Sequence, residues 1–358
     1  MNKKKVAIVG TVGLPANYGG WETLVDNLTL HLQDRFDITV FCTSKKYNKK
    51  LKEFNGVKLK YINLNANGIQ SIPYDCISIY QSLKFADTIL VLGVSGCICL
   101  PLARFFGISR IIVNIDGIEW KRDKWNKFTK LFLKISERFA VKYAHFLITD
   151  NEGIQNYVFE KYAVKSHLIA YGGNHVLEKK NTQFSDKYDF LSEDYIFSVC
   201  RIEPENNLDI ILKAVSLLSS HKLVIIGNWS NSAYGSDLKK KYQKFQNLYL
   251  LDPIYDQVIL GNIRTNCSLY VHGHSAGGTN PSLVEAMYLG LPIVAFDVEY
   301  NRFTTENKSL YFKSCEQLIA ILKEHDNMSL LKISSDMKSI AQREYTWPKI
   351  SKEYAKLL

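Results

Sequence analysis

His272-Gly-His-Ser-Ala-Gly-Gly-Thr-Asn280-Pro-Ser-Leu-Val-Glu285-Ala-Met-Tyr-Leu-Gly290-Leu-Pro292 is the stretch on which the fold reading turns. A β-rich run, residues 267–271, leads into it, and a second, residues 292–295, leaves it. The segment between them reads as a glycine-rich loop feeding a helix over 281–289. Asn280 is a good N-cap, Pro281 suits the first helical position, and Gly290 suits the residue just past the helix end. Strand, loop, helix and strand in that order form one unit of a parallel sheet. The helix N-terminus can face an anion. Glu285, one turn inside, can accept hydrogen bonds from a diol such as a ribose, but Ser282-Leu-Val-Glu285 also fits a capping box that would use the same carboxylate structurally.

Moving outward, the alternation continues in both directions. Strand candidates in the second half are 195–199, 222–226 and 248–251, with a helix over 205–218. The first half repeats the theme with strands at 5–10, 37–42, 57–62, 88–92, 110–114, 145–149 and 167–170, and with helices such as 21–32 and 72–85. Such alternation predicts parallel sheets covered on both faces. The expected architecture is α/β: two doubly wound, Rossmann-like domains facing across a cleft, with ligands at the carboxyl ends of the strands. Their expected extents are 1–175 and 195–342, joined by a polar linker over 176–194, with a helix in 343–358 returning to the first domain.

Composition agrees. The chain has 358 residues, consistent with two domains of roughly 150. With 46% apolar and 22% charged residues, it is neither disordered, collagen-like nor a coiled coil. Seven scattered cysteines, an odd number, read as reduced thiols in a cytosolic protein and not as a secreted disulfide framework or a zinc site. The strand-like Val6-Ala-Ile-Val9 follows directly on Met1-Asn-Lys-Lys-Lys, which leaves no signal-peptide core. The most apolar run, 88–103, is interrupted by Gly93, Gly96 and Pro101, and falls short of the about 20 apolar residues of a spanning helix.

The net charge of +10 is unevenly placed. Residues 1–180 carry 26 Lys+Arg against 15 Asp+Glu, whereas residues 181–358 carry 19 against 20. One domain therefore faces an anionic partner. The densest part is 121–142. In a helix over 124–142, Lys127, Lys130, Lys134, Arg138 and Lys142 form one stripe, and Trp125, Phe128, Phe132, Ile135 and Phe139 form the next. Two readings stand: a surface helix packed by its aromatic face, or a helix lying on an anionic bilayer with the basic stripe toward the lipid. No nucleic-acid-binding motif accompanies the charge.

Three further loops could carry chemistry. The first, Gly10-Thr-Val-Gly-Leu-Pro-Ala-Asn-Tyr-Gly19-Gly20-Trp21-Glu22, places two glycines at a helix start, where backbone amides can approach a phosphate. It matches neither the dinucleotide-binding nor the Walker pattern, and strand two ends in Phe41-Cys-Thr-Ser44 without a ribose-binding acid, which disfavours a dehydrogenase. Arg201 follows the first strand of the second half; it reads either as a phosphate ligand or as a surface ion pair with Glu203 or Glu205. Asp116-Gly-Ile-Glu119-Trp120-Lys-Arg122 offers carboxylates, an aromatic face and cations suited to a carbohydrate, or else a capped loop with Trp120 in the core. The chain has no Asp-x-Asp, hence no diphosphate–metal clamp of that kind, and no metal site is expected.

These segments resemble a family: the retaining glycosyltransferases of the two-domain GT-B architecture known as family four. The resemblance covers essentially the whole chain and rests on Gly19-Gly20-Trp21-Glu22, the Arg201 segment, and the loop and helix running through Glu285-Ala-Met-Tyr-Leu-Gly-Leu-Pro. The first loop, Asp116-Gly-Ile-Glu-Trp-Lys-Arg and His272-Gly-His are similar to a narrower group, the bacterial rhamnosyltransferases of capsule and cell-surface polysaccharide assembly. The resemblance implies a dTDP-L-rhamnose donor and a lipid-diphosphate-linked saccharide acceptor, met by a cytoplasmic enzyme peripheral on the inner face of the plasma membrane, with no cofactor besides the donor. It assigns Gly19 and Gly20 to the donor phosphates, Arg201 to the diphosphate and Glu285 to the ribose. Gly278, Thr279 and Asn280 go to the donor sugar and phosphates. Asp116 faces the acceptor or the anomeric centre, with Glu119, Trp120 and Arg122 on the acceptor side. Lys127, Lys130, Lys134 and Arg138 would face the membrane. Two positions depart from the wider family: its second basic residue is Asn206 here, and its first glutamate is Gly277. The rival readings are a transferase using a UDP- or GDP-linked sugar, a nucleotide-sugar epimerase, and a noncatalytic nucleotide-sugar sensor.

Overall fold

The computed structural model describes residues 3–16, 19–107, 109–115, 117–122, 125–176, 188–324 and 326–358. Contacts divide the chain into one unit of Met1–Tyr171 with Trp347–Leu358 and a second of Gly172–Thr346.

In the first unit the strands are β1 (Lys4–Val9), β2 (Phe36–Thr43), β3 (Glu53–Phe54), β4 (Val57–Ile62), β5 (Thr88–Leu92), β6 (Arg110–Ile115), β7 (Phe146–Thr149) and β8 (His167–Leu168). They form one sheet in the order β3-β4-β2-β1-β5-β6-β7-β8. All neighbours pair in parallel except β3 and β4, a hairpin closed by Asn55-Gly56, both with positive φ. The helices are α1 (Gly20–Leu32), α2 (Ser71–Ser82), α3 (Leu100–Phe106), α4 (Lys127–Tyr143) and α5 (Glu152–Tyr162).

Strand residues alternate between two buried faces. Val6, Ile8, Ile38 and Val40 join Leu24, Val25 and Leu28 of α1 in one core. Ala7, Val9, Phe41, Ile89 and Val91, on the opposite side of the pleat, are fully buried as well. This is the two-sided burial that the near-continuous apolar runs predict.

The second unit holds β9 (Ile196–Val199), β10 (Leu223–Ile226), β11 (Leu248–Leu251), β12 (Leu269–His272), β13 (Ile293–Phe296) and β14 (Leu310–Phe312), all parallel, in the order β11-β10-β9-β12-β13-β14. Its helices are α6 (Leu208–Ser216), α7 (Ala233–Tyr242), α8 (Gln257–Asn266), α9 (Pro281–Tyr288), α10 (Glu299–Thr304), α11 (Cys315–Glu324) and α12 (Asn327–Glu344). Strand order reverses between β9 and β12 here and between β1 and β5 in the first sheet. These are the topological switch points where open α/β sheets bind ligands.

The last helix, α13 (Trp347–Leu357), lies in the first unit and packs on α1. Tyr354 receives a hydrogen bond from Asn114 Nδ2 at 2.5 Å, and the Leu358 carbonyl receives one from Thr88 at 3.0 Å. The return begins at 347 and not at 343, because α12 continues to Glu344. Most of the expected linker, 177–187, lies outside the described residues.

Two helices differ from expectation. The helix expected over 205–218 is broken: a 3-10 turn, Pro204–Asn206, ends at Asn207 with φ 48°, and α6 starts after it. The basic helix starts at Lys127, capped by Asn126, whose side chain accepts from Thr129 N at 2.9 Å; Lys124 lies outside the described residues. Its buried face is Leu133, Ser136, Glu137, Ala140 and Val141, not the aromatic stripe. Small side chains there let α4 approach the 3-10 turn Ser95–Cys99, where Ser136 Oγ donates to the Val94 carbonyl at 2.5 Å.

Asp75 of α2 is fully buried against that turn, accepting a short hydrogen bond from Ser95 while its Oδ1 has no partner. Burial pushes its carboxyl up from 3.8 to about 7. Between these values the native state holds a proton that the unfolded chain has lost, so Asp75 contributes stability below about pH 4 that drains away as pH rises to about 7. Urea titrations across that window should show the wild-type midpoint falling more steeply with pH than that of Asp75→Asn; equal slopes would remove the assignment.

Candidate active site

In the second unit, the loops after β9 and β12 meet at the switch point. Arg201 stands two residues beyond the end of β9, exposed, and forms no ion pair among the described residues, so the pairing with Glu203 or Glu205 is not made. Asn206 is buried. Its Nδ2 donates to the Arg201 carbonyl at 2.7 Å, and its Oδ1 lies 3.0 Å from His274 Nδ1. Asn207 Nδ2 donates to the Gly273 carbonyl at 2.8 Å, and Ser275 N donates to the Glu205 carbonyl at 2.8 Å. A Cβ on Gly273 would stand 2.0 Å from the Asn206 carbonyl oxygen. Asn206 therefore stitches the two loops together where a lysine would have carried charge.

His272, at the end of β12, is buried and stacks on Tyr270 at 6.0 Å. Burial lowers its pKa to about 3, so it is neutral at physiological pH. His274, also buried, is part of the loop bracing: its carbonyl accepts from Asn301 Nδ2 at 2.8 Å.

Gly277 has φ 117°, a conformation strained for a side-chain-bearing residue, so a glutamate does not fit this loop conformation. Gly278 and Thr279 are buried behind it. Asn280 caps α9, its Oδ1 accepting from Ser282 N at 3.0 Å and from Ser282 Oγ at 2.8 Å. The cap is thus an Asn cap, and Glu285 is used otherwise. Its Oε2 meets Arg264 Nη2 at 2.6 Å and its Oε1 meets His175 Nε2 at 3.1 Å. Arg264 comes from the last turn of α8 and His175 from the 3-10 turn Asn174–Val176, which packs on α9. A buried carboxylate is thereby held in one orientation, one turn inside the capped N-terminus of α9.

In the first unit, the glycines of the β1–α1 loop are required by close approach. A Cβ on Gly10, φ 91°, would lie 2.2 Å from the Leu92 carbonyl oxygen. A Cβ on Gly19, φ 134°, would lie 2.0 Å from Glu22 Oε2. Glu22 is buried and accepts from Thr11 Oγ1 at 2.9 Å and Val12 N at 2.8 Å. Gly19 caps and Gly20 opens α1, beside this carboxylate.

Asp116 lies outside the described residues. Glu119 pairs with Arg122 at 2.9 Å and accepts from Trp125 Nε1 at 3.2 Å. Trp120 donates to Glu137 and to Tyr157, both at 3.1 Å, while Lys134 Nζ covers its ring at 4.2 Å. Glu137, buried on α4, also receives hydrogen bonds from Tyr157 and Tyr162 at 2.6 Å and from Lys161 at 2.9 Å. Trp120 is thus anchored, with Lys134 engaged on it. Lys127 and Arg138 are exposed and Lys130 is half-buried.

Sequence reasoning missed Arg264 and His175. Arg264 has no short-range spacing to Glu285, and His175 falls at the edge of a stretch that reads as linker.

Residues 180–323 match the family model described as Glycosyl transferases group 1, and residues 3–174 match a domain of unknown function, DUF1972. The chain has the GT-B fold. Sucrose-phosphate synthase from Thermosynechococcus elongatus superposes with a TM-score of 0.81 at 14% identity, covering 99% of this chain and 98% of its own. HepE from Anabaena, solved in complex with UDP and glucose, gives 0.75 at 15% identity, covering 99% of each chain. A glycosyltransferase from Rickettsia africae gives 0.74 at 13% identity, covering 100% of this chain and 98% of its own. Comparison with curated proteins gave no match. The switch point with Arg201 and Glu285 falls inside the group 1 match, whereas the Glu22 loop and the Trp120 cluster fall inside DUF1972. Among the described residues no helix is long and apolar enough to cross a membrane.

Proposed function

We propose that the protein transfers L-rhamnose from dTDP-L-rhamnose to a lipid-diphosphate-linked saccharide in bacterial surface-polysaccharide synthesis, with retention at the anomeric carbon and no metal requirement. The observation that carries the donor half is the β9–β12 switch point. It sets an exposed guanidinium on one loop and the capped N-terminus of α9, with oriented Glu285, on the next. A nucleoside diphosphate needs these two kinds of group, donors for its phosphates and an acceptor for its ribose diol. The complex of HepE with UDP supports the same class of ligand.

In this reaction the C1–oxygen bond to the β-phosphate breaks as the acceptor oxygen bonds to C1, and the acceptor proton passes to the departing diphosphate. Negative charge grows on that diphosphate, where Arg201 and the α9 amides are aimed; hydrogen-bond donors fixed in place before the charge develops supply most of the rate enhancement in such catalysis. Gly19, Gly20, Gly278, Thr279 and Asn280 are proposed as donor contacts. Asp116, Glu119, Trp120 and Arg122 belong to the acceptor side. Glu119 and Arg122 shape it through their ion pair, and Trp120, held by Glu137 and Tyr157 and covered by Lys134, does not serve as a free stacking face. The exposed basic residues of α4 keep the enzyme on an anionic inner membrane surface.

Gly277, where the wider family has its hydroxyl-holding glutamate, fits a donor unlike glucose. HepE with UDP and glucose favours the second reading, a UDP-sugar donor. A thermal-shift panel of dTDP-rhamnose, UDP-glucose, GDP-mannose and the free diphosphates decides between them. The largest shift is expected with dTDP-rhamnose, unchanged by EDTA. A larger shift with UDP-glucose moves the donor to the second reading, and no shift with any of them removes the donor site. Incubation with donor alone should leave the sugar unconverted, unlike an epimerase.

A further inference from the structure

We infer that Cys76 of α2 and Cys99, the last residue of the 3-10 turn Ser95–Cys99, form a peroxide-reactive dithiol. It closes reversibly to a disulfide that locks α2 onto the turn. The two thiols share one acceptor: Cys76 Sγ donates to the Gly96 carbonyl at 3.8 Å, and Cys99 Sγ donates to the same oxygen at 3.1 Å. Each thiol is also the hydrogen-bond partner of the other. The backbones beneath them are pressed together, since a Cβ on Gly96 would lie 2.3 Å from Asp75 Cβ. Ser95 adds a hydrogen bond to Asp75, the residue before Cys76. Helix and turn therefore hold both sulfurs at one place before any bond forms between them.

The other cysteines set this pair apart. All seven are free, and Cys42, Cys97, Cys267 and Cys315 are buried. Burial pushes the Cys42 thiol up to about 11 and those of Cys200 and Cys267 up to about 12, and raises Cys97 well above its ordinary value. Such thiols are inert. Cys76 and Cys99 are only half-buried. The hydrogen bond between them holds the Cys76 thiol below its ordinary value, against the effect of burial, and pushes Cys99 up. Cys76 is thus the attacking sulfur and Cys99 the resolving one, the arrangement of a redox-sensing pair. The Cys76 thiolate attacks one oxygen of hydrogen peroxide; the O–O bond breaks, a sulfenic acid forms on Cys76, and hydroxide leaves. The Cys99 sulfur then bonds to the Cys76 sulfur, and its proton departs with the sulfenic hydroxyl as water. Two electrons pass from the dithiol to peroxide, and an external dithiol restores both thiols. The turn that is locked follows β5 at the switch point of the first sheet and also carries the Val94 carbonyl that holds Ser136 of α4.

The test treats the full chain with hydrogen peroxide under native conditions, alkylates the remaining thiols, and digests with trypsin. Cys76 falls in peptide 61–84, whereas Cys97 and Cys99 share peptide 85–104. Mass spectrometry should find these two peptides cross-linked, with fragmentation between Cys97 and Cys99 placing the bond on Cys99. Dithiothreitol should release them. The oxidised wild type should melt about 5 °C higher than the reduced protein, because the bond closes a chain loop in the unfolded state. Cys76→Ser and Cys99→Ser should show neither the cross-link nor the shift. A wild type that stays fully alkylatable, or whose Cys76 passes to sulfinic acid while Cys99 remains a thiol, overturns the pairing. A bond to Cys97 does the same, and a cross-linked protein with an unchanged melting temperature overturns the lock. The wild-type outcomes stand even where a serine variant fails to fold, and none of them depends on the donor or acceptor assignment.

Discussion

Arg201→Ala is expected to lower kcat by about 100- to 1,000-fold while leaving the melting temperature within about a degree of wild type, the cost typical of removing one pre-aimed donor from a charge-developing centre. The stability half of that expectation follows from geometry. The side chain is exposed and forms no ion pair among the described residues, and what the loop draws from residue 201 is its backbone carbonyl, which accepts from Asn206 and which alanine supplies equally well. The activity half follows from the neighbouring position. With Asn206 spent on the Arg201 carbonyl and His274, the loop carries no second cation to share the diphosphate charge. Arg201→Lys should recover only part of the rate, since an ammonium offers a point charge in place of a planar two-pronged donor. Asn206→Lys should not substitute for it, because that change cuts the hydrogen bond that closes the loop onto the Arg201 carbonyl and the one that joins it to His274. Steady-state kinetics with a melting curve for each variant checks this; near-normal turnover in Arg201→Ala would sink the role.

How legible this was in the sequence depends on the range of the signal. The strands and their parallel pairing could be read because burial on both faces writes itself as unbroken Val/Ile/Leu runs, as in Val6-Ala-Ile-Val9 and Thr88–Leu92. The β3–β4 hairpin carries an equally local signal, since Asn55-Gly56 is a strong short-range turn pair. The α9 cap was local too: Asn280-Pro281 carries its own geometry.

What was not legible is long-range. Glu285 fits a capping box by spacing, and nothing in nearby residues says that Arg264 and His175 will claim its oxygens first. The aromatic stripe of α4 reads as a packing face because burial normally follows hydrophobicity. Here a stripe of small and aliphatic residues, with Glu137 satisfied by two tyrosines and a lysine, took the interior. The first sheet's loop glycines were visible, but their reason lies in distant partners, Leu92 for Gly10 and Cys42 for Gly13.

Glu285→Leu should cost about 3 kcal/mol of stability and also abolish the nucleotide-induced thermal shift, two losses with separable causes. The first arises because Arg264, with its side chain only 12% exposed, would keep its charge without its carboxylate; stranding one member of a buried pair typically costs about 3–5 kcal/mol. The second is the lost acceptor for the ribose diol. The double variant Arg264→Leu, Glu285→Leu distinguishes them, because replacing both members of such a pair by apolar groups is often close to neutral. Urea unfolding should therefore show the double variant regaining most of the stability that the single variant loses, a coupling measurable by a double-mutant cycle. Nucleotide binding by calorimetry should stay absent in both. His175 adds a check: His175→Ala removes a 3.1 Å contact to the other oxygen and should weaken binding less than the loss of the carboxylate itself. If affinity instead returns together with stability in the double variant, Glu285 is only a brace for α8 and α9, and the ribose must be held by other groups.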